Sequence, residues 1–170
     1  MDQLVAMTDA DLKEVLMWRN APRVRENMYS QHEISWDEHL AWWAASKARN
    51  DRRYFIFEQG GKKTGFVSFT DMDEGNGTAS WAFFSSTNAP KGTGTKMERA
   101  ALNIAFKALG MRKLCCEVLD FNYRVIEFHQ RFGFQIEGRL KAHKLVKGRY
   151  CDVVLLAVFA EHWADMQNYN

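Results

Sequence analysis

The chain has 170 residues, 46% hydrophobic and 26% charged, which suits a single domain over residues 1–170 and excludes a disordered chain. A formal net charge of +2 excludes the strong positive field that nucleic acid or an anionic membrane would select. Three cysteines, Cys115, Cys116 and Cys151, without CxxC or framework spacing, argue against a disulfide scaffold and against a thiolate metal site. Met1-Asp2-Gln3-Leu4 carries no basic stretch ahead of an apolar run, and no stretch approaches the ~18 apolar residues of a spanning helix. A cytoplasmic protein is expected, with no membrane, nucleic-acid or metal partner.

In chain order, Leu4 to Met7 reads as a short strand. Thr8 or Asp9 can cap a helix to about Asn20, because Leu12, Val15, Leu16 and Arg19 keep helical spacing. Pro22 breaks the chain. Ser35-Trp36-Asp37-Glu38 fits a capping box ahead of a second helix striped by Leu40, Trp43 and Ala44. Strands follow at Tyr54 to Glu58, Thr64 to Thr70 and Thr78 to Ser85, separated by turns at Gly60-Gly61 and Gly75-Asn76-Gly77, which reads as an antiparallel meander. The period then changes. Met97, Ala100, Ala101, Ile104, Ala105, Ala108 and Leu109 mark an amphipathic helix ending at Gly110. Lys113 to Leu119 is an apolar strand, and Asn122 to Phe132 is a helix that Gly133 ends. Phe134 to Glu137 resumes a strand, and Tyr150 to Phe159 is a long apolar strand suited to a sheet interior. This order predicts an α/β (α+β) fold around one mixed sheet.

Two junctions carry chemistry. After the apolar strand Trp81-Ala82-Phe83-Phe84 comes Ala89-Pro90-Lys91-Gly92-Thr93-Gly94-Thr95 and then the amphipathic helix. Glycines allow a tight turn, and the free N–H groups and dipole of a helix start form an anion site. Alone, Gly-x-Gly before a helix is often only a turn; it is neither a P-loop nor a full GxGxxG. The second junction is Asp120-Phe121-Asn122, opening a helix that ends in His129-Gln130-Arg131-Phe132-Gly133-Phe134. Asn122 reads as an N-cap or a ligand group. His129 lies on the apolar stripe, where it is either a satisfied core histidine or a cleft residue.

Together the two junctions resemble the GNAT N-acetyltransferases, which pair a loop Q/R-x-x-G-x-G/A with a later N-x-x-A-x-x-x-Y-x-K-x-G-F. The resemblance implies a central, mostly antiparallel mixed sheet flanked by helices, and acetyl-coenzyme A as co-substrate without a metal. It implies that the strand at Phe83 and Phe84 holds the pantetheine arm. It gives Lys91, Gly92, Thr93, Gly94 and Thr95 the pyrophosphate, with Asn122 and Arg131 also on the cofactor. Two positions depart from the pattern. Ala89 stands where Gln or Arg opens the loop, and His129 stands where the family has the tyrosine that protonates the leaving thiolate. Histidine can give a proton near neutral pH. Glu117, His39 and a water chain are the candidates for the base. Cys115 and Cys116 are discounted as nucleophiles, because no His or Asp spacing nearby would activate them.

Phe134-Gln135-Ile136-Glu137-Gly138-Arg139 and Gly148-Arg149-Tyr150-Cys151-Asp152 look like the branch holding ribosomal-protein and sugar-nucleotide acetyltransferases. Trp18-Arg19-Asn20, Val24-Arg25, Met28, Glu33-Ile34-Ser35, Glu38-His39-Leu40 and Trp42 resemble one subfamily within it. That subfamily acetylates the 4-amino group of a UDP-linked amino-dideoxy sugar on the route to pseudaminic acid, a sugar of bacterial flagellin glycans. The resemblance implies Arg19, Arg25, Met28 and His39 on the acceptor, with Arg23 also near a diphosphate. A homodimer is compatible with it. Two alternatives stay open: an acetyltransferase for protein N-termini of the ribosomal-protein type, and a non-catalytic acyl-coenzyme-A sensor.

Overall fold

The alternation of residues 54–85 and the helical period of residues 97–109 are both realised in a computed structural model that describes residues 2–168. Seven strands form one sheet in the order β1-β2-β3-β4-β5-β7-β6. They are β1 (Gln3–Ala6), β2 (Arg53–Gln59), β3 (Lys62–Asp73), β4 (Thr78–Ser85), β5 (Lys113–Leu119), β6 (Gln135–Val146) and β7 (Arg149–Phe159). The helices are α1 (Leu12–Asn20), α2 (Pro22–Arg25), α3 (Trp36–Lys47), α4 (Thr93–Asn103), α5 (Tyr123–Gln130) and α6 (Ala160–Asn168). Every pairing is antiparallel except β4 with β5, which is parallel.

The meander buries both faces, because its residues alternate in register. Phe55, Val67 and Phe83 stand opposite one another on one face; Ile56, Phe66 and Phe84 stand on the other. The first face packs under α4, α5 and α6, where Met97, Leu102, Phe132 and Trp163 meet Val67, Phe69, Trp81 and Leu156. The second packs under α1 and α3 through Leu12, Val15, Trp18 and Trp43. Helices thus cover the sheet on both sides. Gly65 lets α4 come close: a Cβ there would stand 2.6 Å from the Met97 sulfur. Beyond Asn103 this helix ends in a π turn over Ile104–Ala108 and stops at Gly110, whose φ is +65°. The Ser35 capping box forms as expected, with Glu38 N–H donating to Ser35 Oγ at 3.2 Å and Ser35 N–H to Glu38 Oε2 at 2.8 Å.

Three elements differ from the sequence reading. Pro22 begins the short helix α2 rather than only breaking the chain, because a first-turn proline lacks an N–H the helix does not need. The strand expected to stop at Glu137 continues to Val146. It is an edge strand of largely exposed residues, so no hydrophobic alternation marks it. What holds it is pairing to β7 and Asp152, which accepts from Ala142 N–H at 2.8 Å and pairs with Arg139 and Lys141 at 3.1 Å. The helix α6 was not anticipated; buried Trp163, near Phe132, anchors it.

Candidate active site

The site begins where the sheet comes apart. β4 and β5 pair only at Thr78–Lys113, Ala79–Leu114 and Ser80–Cys115. Beyond these, β4 stays with β3 to Ser85, while β5 stays with β7 to Leu119. Residues 81–85 and 116–119 therefore diverge, and edge-facing backbone groups lose their strand partners. A cleft of about 230 Å³ fills the split, lined by Trp81 to Ser85 from β4 and by Cys116, Glu117 and Val118 from β5. Asn122, Val125 and His129 of α5 and Arg23 and Met28 of the α2 region complete it. Phe83, Phe84, Glu117, Asn122, Met28 and His129, named separately from the sequence, thus meet at one place. Asn122 is the N-cap residue of α5, yet its side chain makes no cap bond, which leaves its amide for the cleft.

His129 is buried, and its Nδ1 lies 2.9 Å from Oε1 of Glu98, a residue of α4 that is 0% exposed. Trp81, Phe83 and Phe134 surround the imidazole, with ring centroids 5.1 to 5.7 Å away. Burial raises the Glu98 carboxyl above its ordinary value, and the bond from His129 opposes that rise. Glu98 escaped the sequence reading, although a signal was present: it shares a helical face with Leu102 and Ala105, where a charge is out of place. The Cys116 thiol is pushed far up by burial and then by the Glu98 carboxylate, so it stays protonated and is no nucleophile.

The loop before α4 presents, among the described residues, unpaired N–H groups at a helix start, a geometry that suits an anion. Gly92 takes φ +88°, a left-handed conformation. The N–H groups of Gly94 and Thr95 have no backbone partner among the described residues, and Lys91 is exposed beside them. Thr93 departs from its expected role. It is buried, its hydroxyl lies 2.7 Å from both Pro90 O and Gln59 Oε1, and its N–H donates to Pro90 O at 3.1 Å. It shapes the loop and offers no free group to a pyrophosphate. A second cavity of about 570 Å³ flanks this helix start, lined by Thr95, Arg99, Phe128, Arg131, Phe132, Trp163 and Met166. Arg131, which the sequence put on the cofactor, lines this cavity, and so do Arg99 and α6, which the sequence did not mark, since only folding brings α6 beside α5. The split, the free N–H groups and the two arginines suit a long thioester cofactor with a phosphorylated head.

On the opposite sheet face, a third cavity of about 280 Å³ lies between Arg19, His39, Trp42, Phe66 and Phe84. Arg19 Nη2 donates to Ser30 O at 2.9 Å, while its buried Nη1 has no partner among the described residues. Burial lowers its pKa, but a guanidinium stays charged. Arg23 lines the split, and its Nη2 donates to the carbonyls of Ser85 and Ser86, tying α2 to the end of β4. Arg25 lines neither the split nor this cavity. At the split, Tyr29 donates to Glu117 Oε2, and Lys144 Nζ sits 4.4 Å over the Tyr29 ring. Burial, then Glu117, hold the phenol well above its ordinary value, so it remains a donor.

His39 does not reach the split. It is buried, stacks on Trp42 at 5.2 Å, and donates from Nε2 to Leu12 O at 3.0 Å. It therefore joins α3 to α1 and leaves Glu117 as the carboxylate at the cleft. Burial depresses the His39 pKa. Between the depressed value and the ordinary one of about 6.5 the unfolded chain binds a proton that the folded chain refuses, so stability falls on acidification through that range. Melting temperatures of wild type and His39→Gln from about pH 7 to pH 5 should fall less steeply in the variant; parallel curves would exclude His39 as a source of the slope.

Residues 3–135 match the family model described as the acetyltransferase (GNAT) domain. The chain is 25% identical over 112 residues to a spermidine N(1)-acetyltransferase of Escherichia coli, a match spanning 65% of this chain and 60% of that protein. It is 24% identical over 132 residues to the acetyltransferase PseH of Campylobacter jejuni, spanning 76% and 80%. The match spans only 60% of the length of the Escherichia coli protein and 27% of that of a further relative, the uncharacterized protein MJ1062 of Methanocaldococcus jannaschii. A solved spermidine N-acetyltransferase from Vibrio cholerae, in complex with CoA and spermine, superposes with a TM-score of 0.89 at 21% identity, covering 96% of this chain and 98% of that one. The split sheet, the glycine loop at a helix start and the match over residues 3–135 agree: the chain belongs to the GNAT acetyltransferase family.

Proposed function

We propose that this protein moves the acetyl group of acetyl-coenzyme A to a primary amine on an acceptor that also carries an anionic group, the best candidate being a UDP-linked amino-dideoxy sugar. One observation carries the acceptor: Arg19, whose buried Nη1 has no partner among the described residues, lines an aromatic cavity whose lining holds no carboxylate. Such a cavity attracts a phosphate, carboxylate or carbonyl oxygen and repels a polycation. Trp42 and Phe84 offer flat apolar surface for a base or sugar ring.

Acetyl-coenzyme A supplies the reactive thioester. The chain's own groups do the rest. Edge-facing N–H groups of residues 81–85 orient the pantetheine arm and polarise the carbonyl. Gly94, Thr95, Arg99 and Arg131 hold phosphates. Glu117 receives the proton of the attacking amine. His129 gives its Nε2 proton to the departing sulfur. As the amine nitrogen bonds to the acyl carbon, the carbon–sulfur bond breaks and sulfur keeps its electron pair.

A second reading, acetylation of a polyamine, has one observation in its favour: Glu117 puts a carboxylate in the split. Thiol release from acetyl-coenzyme A, followed in parallel with a UDP-4-amino-4,6-dideoxy sugar, spermidine and a peptide with a free N-terminus, separates the readings. Release with the sugar nucleotide alone supports the proposal. Release with spermidine alone overturns its acceptor, and coenzyme A binding without release on any amine overturns the enzyme. Arg19→Ala should raise the KM of the anionic acceptor by about 10- to 100-fold, the worth of one charge-assisted hydrogen bond, and leave the KM of acetyl-coenzyme A unchanged.

A further inference from the structure

We propose that Glu98 is a positioning residue that fixes the tautomer of His129 and holds the imidazolium that delivers the proton; this rests on the acetyl-transfer reading above. Glu98 sits on α4, one turn beyond the helix start that faces the anion site, and His129 on α5. The 2.9 Å contact between Nδ1 and Oε1 joins the two helices beneath the cleft, and both residues are buried. The other oxygen, Oε2, has no partner among the described residues. A fully buried carboxylate with half of its hydrogen-bonding capacity unmet is expensive, and an apolar residue on this stripe would pack without that penalty. Its geometry makes sense as a counter-charge.

A carboxylate accepts only, so the proton at this contact belongs to Nδ1. The neutral ring then has its lone pair on Nε2, which makes no hydrogen bond among the described residues and belongs to the ring that lines the cleft. Nε2, on the ring that lines the cleft, takes a second proton from solvent before transfer, giving an imidazolium stabilised by Glu98. When sulfur leaves, the Nε2–H bond breaks, an S–H bond forms, and the electron pair stays on Nε2. Glu98 keeps its charge throughout, and Nδ1 keeps its proton. The other titratable or charged groups facing this pair are few. β5 contributes Cys116 and Glu117, α2 contributes Arg23, and β4 contributes only the rings of Trp81 and Phe83. A Glu98 that served only to join helices would not need a histidine opposite it.

The test uses Glu98→Gln and Glu98→Asp in the full chain. ¹⁵N NMR of the His129 ring in the protein without acetyl-coenzyme A reads the tautomer and its titration directly. Wild type should hold the Nδ1–H form, and Glu98→Gln should show a mixture that protonates at lower pH. With acetyl-coenzyme A and amine, Glu98→Gln should lose on the order of 10- to 100-fold in kcat with KM nearly unchanged, and the pH profile should move with the titration. Glu98→Asp, which keeps the charge, should recover part of kcat. An unchanged tautomer and titration in Glu98→Gln overturns the proposal whatever the activity. Altered ring chemistry in a protein that acetylates no amine supports the role of Glu98 on His129 and overturns the acetyl-transfer reading instead.

Discussion

His129→Gln is expected to lower kcat for acetyl transfer by about 10²- to 10⁴-fold, the usual worth of a placed general acid. Glutamine is the informative replacement because its amide still donates to Glu98, which spares the core an unpaired buried carboxylate. It cannot give up a proton at neutral pH. Acetyl-coenzyme A binding, measured by calorimetry, should stay close to wild type, since the groups assigned to the phosphates are at Gly94, Thr95, Arg99 and Arg131. Loss of kcat with binding intact supports His129 as the acid. Near-normal turnover would show that the thiolate leaves without it, as an unassisted thiolate or with a proton from water. Loss of binding would mean that His129 shapes the pantetheine slot rather than the proton path.

The second large effect is on stability. Phe69→Ala should cost about 3–5 kcal/mol, because it removes an aromatic ring from a site that is 0% exposed and cannot easily collapse. Phe69 stands opposite Trp81 in the register of β3 and β4 and meets Phe55 edge-on at 5.9 Å. For a chain of this length each kcal/mol moves the melting temperature by roughly 2–4 °C, so a drop of roughly 10 °C is expected in calorimetry. Leu145→Ala is the matched control: Leu145 is 59% exposed on β6, and its loss should stay within about 0.5 kcal/mol. Equal effects in the two variants would place the stabilising core away from the meander. The ring also matters to the site. Phe69 is the cross-strand neighbour of Trp81 on the strand next to β4, so Phe69→Ala should loosen the β4 wall of the cleft.

Much of the fold was legible in the chain itself. The meander of residues 54–85 was readable because its apolar residues alternate on a two-residue period and its turns carry glycine. The helix from Thr93 was readable from its 3.6-residue stripe and its glycine stop, and the Ser35 capping box is a local contact written in four consecutive residues. The paired motifs at Gly92-Thr93-Gly94 and Asn122 to Phe134 gave the family, since each is a local signature of a turn opening a helix. The sequence by itself also determined that His129 lies on a buried face.

What only the tertiary structure decided depends on contacts between distant residues. The β6 extension has no pattern of its own; Asp152 and β7 impose it from across the hairpin. The partner of His129 is 31 residues away on another helix, a separation no periodicity encodes. The fate of each arginine was equally hidden. Arg23 Nη2 bonds the carbonyls at the end of β4, and Arg19 Nη1 has no partner among the described residues, although the two differ by only four positions in the chain. A side chain's local sequence sets which way it leaves the backbone, but whether it finds an acceptor is set by what the rest of the chain brings to meet it.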